Sequence, residues 1–407
     1  MSLVGIDRLS GTESVSPLLD AGHIELASRV AHVCHTRLAN RPEPPSDDDA
    51  RREARALMGL MGELELYSPV RTLNLRALCL VREKVAAANP LADAVVALQA
   101  LGGTPLVLAG TDAQRSRWLD GILHGRTMAA FAMTEAEAGS DVAAMRTTAR
   151  HDGTQWVLDG TKHLISNAGI ADLYVVFAVT TPGAGSRGIS AFLVDADTPG
   201  LVFDGAQRLA APHPLGRVRF DRCRVPENAL LGERDRGFHL GMATLDHIRP
   251  TVGAAACGMA ARALIEALGH ATTRRQFGEP LASFQLVRDK IGRMATELEA
   301  ARLLVYRAAW EKDRHAGRIT LEAAMAKSFA TEAAQRIVDE AVQIAGGAGV
   351  LVGHPVERLY RAVRALRIYE GTTEIQRLVI ANELLRQTSP AASGSAATTG
   401  RREGEGT

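Results

Sequence analysis

The feature that most constrains the fold is the change of hydrophobic periodicity along the chain. Apolar residues recur at helical spacing up to about residue 125, follow strand-like patterns from Thr127 to about residue 230, and return to helical spacing from about Phe238. The 407 residues also exceed what a single hydrophobic core supports. We therefore predict an α+β protein in which helical, β and helical domains follow one another.

The predicted domain boundaries follow from these changes of pattern. Residues 1–126 are expected to form an all-α domain, residues 127–235 a β-barrel or β-sandwich, and residues 236–389 a four-helix bundle. Residues 390–407 are low in complexity and poor in large apolar side chains, so we expect them to be disordered.

Local signals predict where some individual elements begin and end. Asp152-Gly153 and Asp159-Gly160 are turn dipeptides that flank a short apolar run. A helix is predicted at Leu91–Leu101. A later helix is expected to have Thr320 as its N-cap and to end at Gly346-Gly347.

Composition narrows the classes of function. The formal net charge of +1 does not indicate a nucleic-acid-binding surface. The four cysteines form no C-x-x-C pair, which argues against a zinc site and a disulfide framework and favours a reducing compartment. We find no signal peptide pattern at the N-terminus and no run of about 18 uncharged apolar residues. We therefore expect a cytoplasmic protein without a metal site or a membrane partner.

The stretch from Ile368 to Arg377 lies between two helical patterns. Gly371, followed by Thr372 and Thr373, indicates a break and then a helix N-cap. Glu370 is therefore predicted at a helix–helix joint, where its carboxylate can face a cavity. Taken alone, a solvated loop acid is the simpler interpretation.

Three other segments have patterns suited to a phosphate-bearing heterocycle. The segment 131–141 is rich in small residues and hydroxyls that leave backbone N–H groups exposed. The segment 274–280 places arginines at the end of a helix, where they can pair with a phosphate. The segment 343–347 ends another helix. Taken separately, a Gly-Ser turn, a solvated basic turn and a helix C-cap are the simpler interpretations of the three segments.

Together, in this order and spacing, these motifs resemble the acyl-CoA dehydrogenase family over about residues 90–388. The resemblance implies FAD-dependent α,β-dehydrogenation of an acyl thioester to the trans-2-enoyl thioester, in fatty acid metabolism. The acyl group would be carried by CoA or by an acyl carrier protein. An electron-transfer flavoprotein would be the electron acceptor, and the enzyme would be a homodimer or a homotetramer.

The resemblance also implies roles for individual residues. Glu370 matches the base that removes the α-proton, whereas Ile248 stands where some relatives carry the base and cannot act as one. The expected substrate contacts are Ser140, Arg249 and Gly371. The expected FAD contacts are Phe131, Met133, Thr134, Gly139, Ser140, Leu164 and Ser166 in the β domain, Arg274, Phe277, Gln285, Gln343 and Gly347 from a second subunit, and Thr372 and Glu374 after the base.

The chain departs from the family pattern at positions that bear on its function. Leu164 stands where the family often has tryptophan, so the flank of the flavin is expected to be more open or differently filled. The segment 208–216 replaces a longer Gly-rich segment that lies near the carrier in relatives, and this leaves the carrier undecided. A flavin-dependent monooxygenase or oxidase on the same fold is the alternative function. A non-catalytic or nucleic-acid-associated relative fits the near-neutral charge less well.

Overall fold

A computed structural model describes residues 11–315 and 317–388 of the chain. The predicted order of helical, β and helical regions is confirmed, while the exact domain boundaries stay predictions. The disorder expected for residues 390–407 concerns a segment outside the described residues. The main elements, in chain order, are helices α1 (Ala21–Val33), α2 (Asp47–Glu63), α3 (Leu75–Ala88) and α4 (Pro90–Ala109), strands β1 (Ala129–Ala132), β2 (Thr148–His151), β3 (Gln155–Ser166), β4 (Leu173–Val179), β5 (Ile189–Asp195), β6 (Leu201–Ala206), β7 (Leu215–Pro226) and β8 (Leu230–Leu231), helix α5 (Gly237–Thr273), the hairpin strands β9 (Arg275–Gln276) and β10 (Glu279–Pro280), and helices α6 (Gln285–Arg314), α7 (Thr320–Ala345), α8 (Pro355–Leu366) and α9 (Thr373–Thr388).

Helix α4 is longer than the sequence predicted. It begins after Asn89, whose side chain accepts a hydrogen bond from the backbone N–H of Ala92 at 3.0 Å. It continues past the predicted end at Leu101 to Ala109. Gly102 lies inside the helix and does not end it. The residue allows close packing, because a Cβ there would lie 2.3 Å from the Cβ of Ala129 in β1. The glycine thus brings the N-terminal helices onto the β domain.

Hydrogen bonds join the strands of the β domain into one eight-stranded sheet. The strand order is β6-β7-β3-β2-β4-β5-β8, and β1 pairs in parallel with β4. The predicted turn at Asp152-Gly153 joins β2 to β3, but the turn predicted at Asp159-Gly160 is wrong. These residues lie inside β3, where the pairing with β7 shifts between Leu158 and Gly160 as a β-bulge.

The two faces of this sheet are buried in different ways. One face forms a core with aromatic residues such as Trp156, Phe192 and Phe220. The other face packs Met133 and Phe177 with residues of α4 and of the start of α5. The second face therefore holds the segment after β1 against the helices.

The C-terminal helices share one core in which α5 is central. Buried residues of α5, α6, α7 and α8 contribute to it, as the four-helix prediction expects, and α3 adds its own apolar side chains. The close approach of α5 and α3 depends on Gly258, because a Cβ there would lie 2.0 Å from the carbonyl oxygen of Glu83. Thr320 is not an N-cap as predicted: it is the first residue of α7, and its hydroxyl donates to Asp246 at 2.7 Å.

Two helices are long and apolar enough, by length and composition, to cross a membrane. They are Pro90–Ala109 and Gly237–Thr273, and 72% of the most apolar window in each is buried within the fold. The sequence pattern had not indicated such a run. Helices that are apolar on all sides are also typical of the core of a large fold, and the neighbouring elements cover most of both helices here.

We predict opposite effects for two alanine substitutions in α5. Gly258→Ala forces the backbones of α5 and α3 apart and is expected to lower the free energy of unfolding by about 1–3 kcal/mol. Gly269→Ala lies in the same helix, and no atom is within 4 Å of the position that its Cβ would take. This second substitution is expected to raise the free energy of unfolding by up to about 1 kcal/mol through helix propensity. Denaturant titration of both variants measures the difference, and equal effects would contradict the packing role of Gly258.

Candidate active site

Glu370 lies in the short turn between α8 and α9, as the sequence predicted. Its backbone is left-handed, with φ 57°, and Gly371 follows with φ 96°. A side chain at Gly371 would place its Cβ 2.4 Å from the Gln376 side-chain nitrogen, so this position needs glycine. The hydroxyl of Thr372 accepts from the backbone N–H of Ile375 at 3.3 Å and caps α9.

Three buried side chains from three helices fix this turn. Arg249 of α5 donates from Nε to the carbonyl oxygen of Glu370 at 3.1 Å. Gln376 of α9 donates to the carbonyl oxygens of Glu370 and Gly371 at 3.2 and 3.1 Å. Lys327 of α7 donates from Nζ to the carbonyl oxygen of Gly371 at 2.7 Å. The backbone of the turn that carries Glu370 is therefore held by three helices, and sequence reasoning missed both Lys327 and Gln376.

The carboxylate of Glu370 has the surroundings expected of a base. Its Oε2 atom is buried and has no hydrogen-bond partner. Burial raises the pKa of Glu370, and the positive charges of Arg82, Lys327 and Arg249 oppose that rise. In turn, burial lowers the pKa of Lys327 to about 8, although the neighbouring Glu370 acts in the opposite direction. Such an unpartnered carboxylate can accept a proton from a substrate carbon.

The expected substrate contacts have different surroundings. Arg249 donates not only to the turn but also to Asp246 at 2.7 Å, so its side chain positions Glu370. Ile248, beside it, is fully buried and apolar. Ser140 is exposed, and Gly371 contributes its carbonyl oxygen to the bond from Lys327. Direct contact of these residues with a substrate stays a prediction.

A buried ion pair holds the segment after β1 against β3. Lys162 of β3 donates from Nζ to Glu135 Oε1 at 2.8 Å and to the carbonyl oxygen of Met133 at 3.0 Å. Glu135 also accepts from the backbone N–H groups of Arg146 and Thr147, at 2.7 and 2.9 Å. The Lys162 side chain is fully buried, and this burial lowers its pKa to about 8. The two segments predicted to contact FAD are thus joined, although neither Lys162 nor Glu135 was singled out in the sequence.

The C-terminal end of β3 offers surfaces suited to a flavin. Leu164 has a left-handed backbone with φ 55° and is 50% exposed. Its backbone N–H donates to Gln207 at 2.9 Å. The hydroxyl of Ser166 lies 2.7 Å from Nε2 of His213, whose pKa is lowered to about 4 by burial, with a further contribution from Arg51. An apolar side chain beside a fixed hydroxyl fits the face and the polar edge of the ring system.

The remaining residues that are predicted to contact FAD within the same subunit differ in how exposed they are. Phe131 is partly buried, with its ring centroid 4.8 Å from that of Phe177. Met133 is buried, and the Thr134 carbonyl oxygen accepts from the backbone N–H of His163 at 2.9 Å. Gly139 and Ser140 are exposed, as is Glu374 after the base. The arrangement leaves backbone and hydroxyl groups available to a ligand at the surface of the β domain.

The residues expected from a second subunit lie at the far end of the bundle. The start of α6 and the end of α7 are neighbours there, because Lys290 pairs with Glu340. Lys327 marks the level of Glu370, and Gln343 lies about 24 Å further along α7, at about 1.5 Å per residue. This end carries exposed apolar side chains, including Phe277 at 95% and Val352 at 89%. The structure does not bring this end together with Glu370. The five residues expected from a second subunit are all exposed there: Arg274, Phe277, Gln285, Gln343 and Gly347.

Among residues 11–315 and 317–388, no group of three or more His, Cys, Asp or Glu side chains is placed to hold a metal ion. Hydrogen bonds, ion pairs and burial among the described residues hold the site. Its chemically distinct feature is the buried carboxylate of Glu370 near three cations.

Comparisons with known proteins agree with this architecture. Residues 130–223 match the family model for the acyl-CoA dehydrogenase middle domain, and residues 235–385 match that for the acyl-CoA dehydrogenase C-terminal domain. The probable acyl-CoA dehydrogenase FadE25 of Mycobacterium tuberculosis is 41% identical over 312 residues, which are 76% of this chain and 80% of that protein.

Solved structures show the same likeness over most of the chain. The butyryl-CoA dehydrogenase of Megasphaera elsdenii superposes with a TM-score of 0.84 and 31% identity, covering 90% of this chain and 99% of that one. A prolyl acyl carrier protein oxidase, AnaB, superposes with a TM-score of 0.82 and 28% identity, covering 90% and 99% of the two chains.

We predict that Lys162→Met loosens the segment after β1. The substitution leaves the buried Glu135 without its cation, so the free energy of unfolding is expected to fall by about 3 kcal/mol. The FAD dissociation constant is expected to rise more than about tenfold, which corresponds to about 1.4 kcal/mol. Lys312→Met is a matched control, because within residues 11–315 and 317–388 the Lys312 side chain donates to the exposed carbonyl oxygen of Gly317 at 3.1 Å and to no carboxylate. Fluorescence titration measures the FAD dissociation constant of both variants. An unchanged FAD affinity in Lys162→Met would contradict the proposal that Lys162 positions the segment after β1.

Proposed function

Because the chain belongs to the acyl-CoA dehydrogenase family, whose members are FAD-dependent oxidoreductases, we propose that it dehydrogenates an acyl thioester between its α- and β-carbons with Glu370 as the base. The observation that carries this proposal is the buried, unpartnered Oε2 atom of Glu370 on a turn fixed by three helices. The product is the trans-2-enoyl thioester.

Glu370 removes the α-proton of the bound thioester. Burial makes its carboxylate a stronger base than an exposed one, while Arg82, Lys327 and Arg249 favour the ionised form that can accept the proton. The negative charge that develops on the thioester carbonyl needs a hydrogen-bond donor. The backbone N–H of Glu370 can serve, because no other hydrogen bond within residues 11–315 and 317–388 uses it.

Leu164, Ser166, Met133 and Thr134 would hold FAD beside this site, through the apolar side chain of Leu164 and the polar groups at its edge. When bound, FAD supplies the acceptor for the hydrogen that leaves the β-carbon with its electron pair. The Lys162–Glu135 pair orients the segment that contains Met133 and Thr134. Arg249, Gln376 and Lys327 hold the turn that carries the base.

The carrier of the acyl group and the electron acceptor are parts of the same proposal. CoA is the simpler carrier, and the structural likeness to a prolyl acyl carrier protein oxidase supports an acyl carrier protein as the alternative. Turnover of the same acyl group on CoA and on a carrier protein distinguishes the two, and equal or better use of the CoA ester removes the carrier-protein version. An electron-transfer flavoprotein is the proposed acceptor, in cytoplasmic fatty acid metabolism.

The likeness to that oxidase also supports an alternative function, in which oxygen accepts the electrons. In that case, flavin reduced by substrate would be reoxidised by oxygen faster than by an electron-transfer flavoprotein. Stopped-flow mixing of the reduced protein with each acceptor decides between the two.

We predict that Glu370→Gln keeps FAD but loses the reductive half-reaction. Removal of the base is expected to slow flavin reduction by thioester about 100-fold or more. Since burial raises the pKa of Glu370 above 4.5 and the carboxylate is the active form, the wild-type rate is expected to rise with pH through that raised pKa. Anaerobic stopped-flow absorbance at several pH values measures both effects.

The surface substitution Glu383→Gln in α9 is the control and is expected to reduce its flavin at the wild-type rate. If Glu370→Gln holds FAD and its flavin is reduced as fast as in the wild type, Glu370 is not the base. A pH-independent wild-type rate would also contradict the proposed role.

We predict that two inactive variants complement each other, because the proposed FAD site combines Glu370 of one subunit with Arg274 of another. Arg274→Glu is expected to lose FAD, and Glu370→Gln to lose proton removal. In a dimer of one chain of each variant, one site combines the intact Glu370 of the Arg274→Glu chain with the intact Arg274 of the Glu370→Gln chain. The other site of that dimer carries both substitutions. Random pairing on co-expression then restores about a quarter of wild-type activity.

The control is co-expression of two differently tagged Glu370→Gln chains, which is expected to stay inactive. Purified hybrids without activity would show that Arg274 does not serve the site of a neighbouring subunit. A monomer by light scattering would exclude the proposed homodimer or homotetramer altogether.

A further inference from the structure

The connection between β6 and β7, residues 207–214, folds back against the end of β3. At its start, the Gln207 side chain accepts a hydrogen bond from the backbone N–H of Leu164 at 2.9 Å. At its other end, the carbonyl oxygen of Pro214 accepts from the backbone N–H of Asn167 at 2.9 Å. The connection therefore contacts the end of β3 on both sides of Ser166.

Helix α2 fixes this connection through a buried arginine. Arg51 donates to the carbonyl oxygen of Leu215 at 2.8 Å and to that of Ala168. Its guanidinium also pairs with Asp47 at 2.6 Å. Because Leu215 follows the connection and Ala168 follows the end of β3, one side chain holds the two segments together.

His213 of this connection reaches the hydroxyl of Ser166. The distance between Nε2 and Oγ is 2.7 Å, and within residues 11–315 and 317–388 the hydroxyl has no other hydrogen-bond partner. Burial and the charge of Arg51 lower the pKa of His213 to about 4, so the ring is neutral near pH 7. A neutral ring uses Nε2 either to accept the Ser166 proton or to donate its own, and both arrangements restrict the rotation of the hydroxyl.

Ser166 keeps a side that a ligand can reach. It is partly exposed and Leu164 is 50% exposed, while Ile165 between them is buried. A serine oxygen offers one donor and two acceptor positions, of which His213 uses one. The remaining positions lie beside an apolar surface and can meet a polar atom of a flat ring.

We propose that His213 is a positioning residue that fixes the hydroxyl of Ser166 for the polar edge of the flavin ring. This inference rests on the proposed FAD site at the end of β3. A hydroxyl that is fixed before binding loses little rotational entropy when FAD binds, which favours tighter binding. Oxidised and reduced flavins carry different donors and acceptors along that edge, so a fixed hydroxyl stabilises one state more than the other. His213 therefore affects both the FAD affinity and the flavin reduction potential through Ser166.

Two single variants measure these effects. His213→Leu and Ser166→Ala are each expected to raise the FAD dissociation constant about fivefold, as for the loss of one hydrogen bond. Both are expected to change the ratio of the affinities for oxidised and reduced FAD in the same direction, by about threefold, which corresponds to about 14 mV for a two-electron couple. Fluorescence titration of the apoprotein measures the affinity. Anaerobic equilibration of the FAD-bound protein with a reference dye and a chemical reductant measures the potential without any substrate.

The double variant tests whether His213 acts through Ser166. In the Ser166→Ala background, His213→Leu is expected to leave the FAD dissociation constant and the flavin potential unchanged, because no hydroxyl is left to position. The two substitutions are therefore expected to be non-additive, as for residues that act through one contact.

A matched pair of amides tests the hydrogen bond itself. Glutamine places its terminal amide close to the position of Nε2, whereas asparagine is one methylene shorter and reaches only the level of Nδ1. His213→Gln is therefore expected to keep most of the FAD affinity, and His213→Asn is expected to behave as His213→Leu. If His213→Leu does not fold, this pair replaces it in the comparison.

The control is His23→Leu in α1. His23 is also buried, at 7% exposure, and its Nε2 lies 3.1 Å from Oδ1 of Asn74. Loss of this ring is expected to lower the free energy of unfolding without changing the FAD dissociation constant or the flavin potential.

The outcomes separate this inference from the proposed function. The role of His213 is overturned if His213→Leu matches the wild type in FAD affinity and flavin potential, if its effect persists in the Ser166→Ala background, or if asparagine serves as well as glutamine. The dehydrogenase function stands in each of these cases, and it fails instead if no thioester reduces the bound flavin. A wild-type protein that binds no FAD would overturn both.

Discussion

The close packing of α5 against its neighbours is the constraint on which the structure depends. At three levels of this helix a glycine allows contact that a Cβ would prevent. A Cβ at Gly241 would lie 2.3 Å from the Met133 side chain, at Gly253 2.7 Å from a side chain of α6, and at Gly258 2.0 Å from the backbone of α3. One helix thereby joins the β domain, the N-terminal helices and the bundle, and it also carries Arg249 to the base.

The candidate active site is a balance between burial and charge. Burial raises the pKa of Glu370, while three surrounding cations keep proton loss possible. Neither influence would serve alone, because an exposed carboxylate is a weak base and an isolated buried one stays protonated. The same principle recurs in the Lys162–Glu135 and Arg82–Asp93 pairs, where a buried charge is retained because a partner is fixed beside it.

The distribution of the expected FAD contacts supports the proposed oligomer. Residues such as Leu164 and Ser166 lie on the β domain, whereas Gln343 and Phe277 lie at the end of the bundle, about 24 Å along α7 from the level of the base. That end exposes large apolar side chains that a monomer would leave in water. A site shared between subunits accounts for both observations.

The sequence by itself determined the order of helical and β regions and the position of Glu370 after a helix and before an N-cap, because periodicity and capping are local properties. It also indicated the family, through motifs that keep their order along the chain. The sequence wrongly predicted a turn at Asp159-Gly160 and too early an end for α4. The sequence alone does not distinguish a glycine that permits close packing from a glycine that forms a turn. Only the tertiary structure identified Lys327, Gln376 and the pairs around Lys162 and Arg82. Their partners are distant in sequence, and burial decides both their pairing and their pKa values.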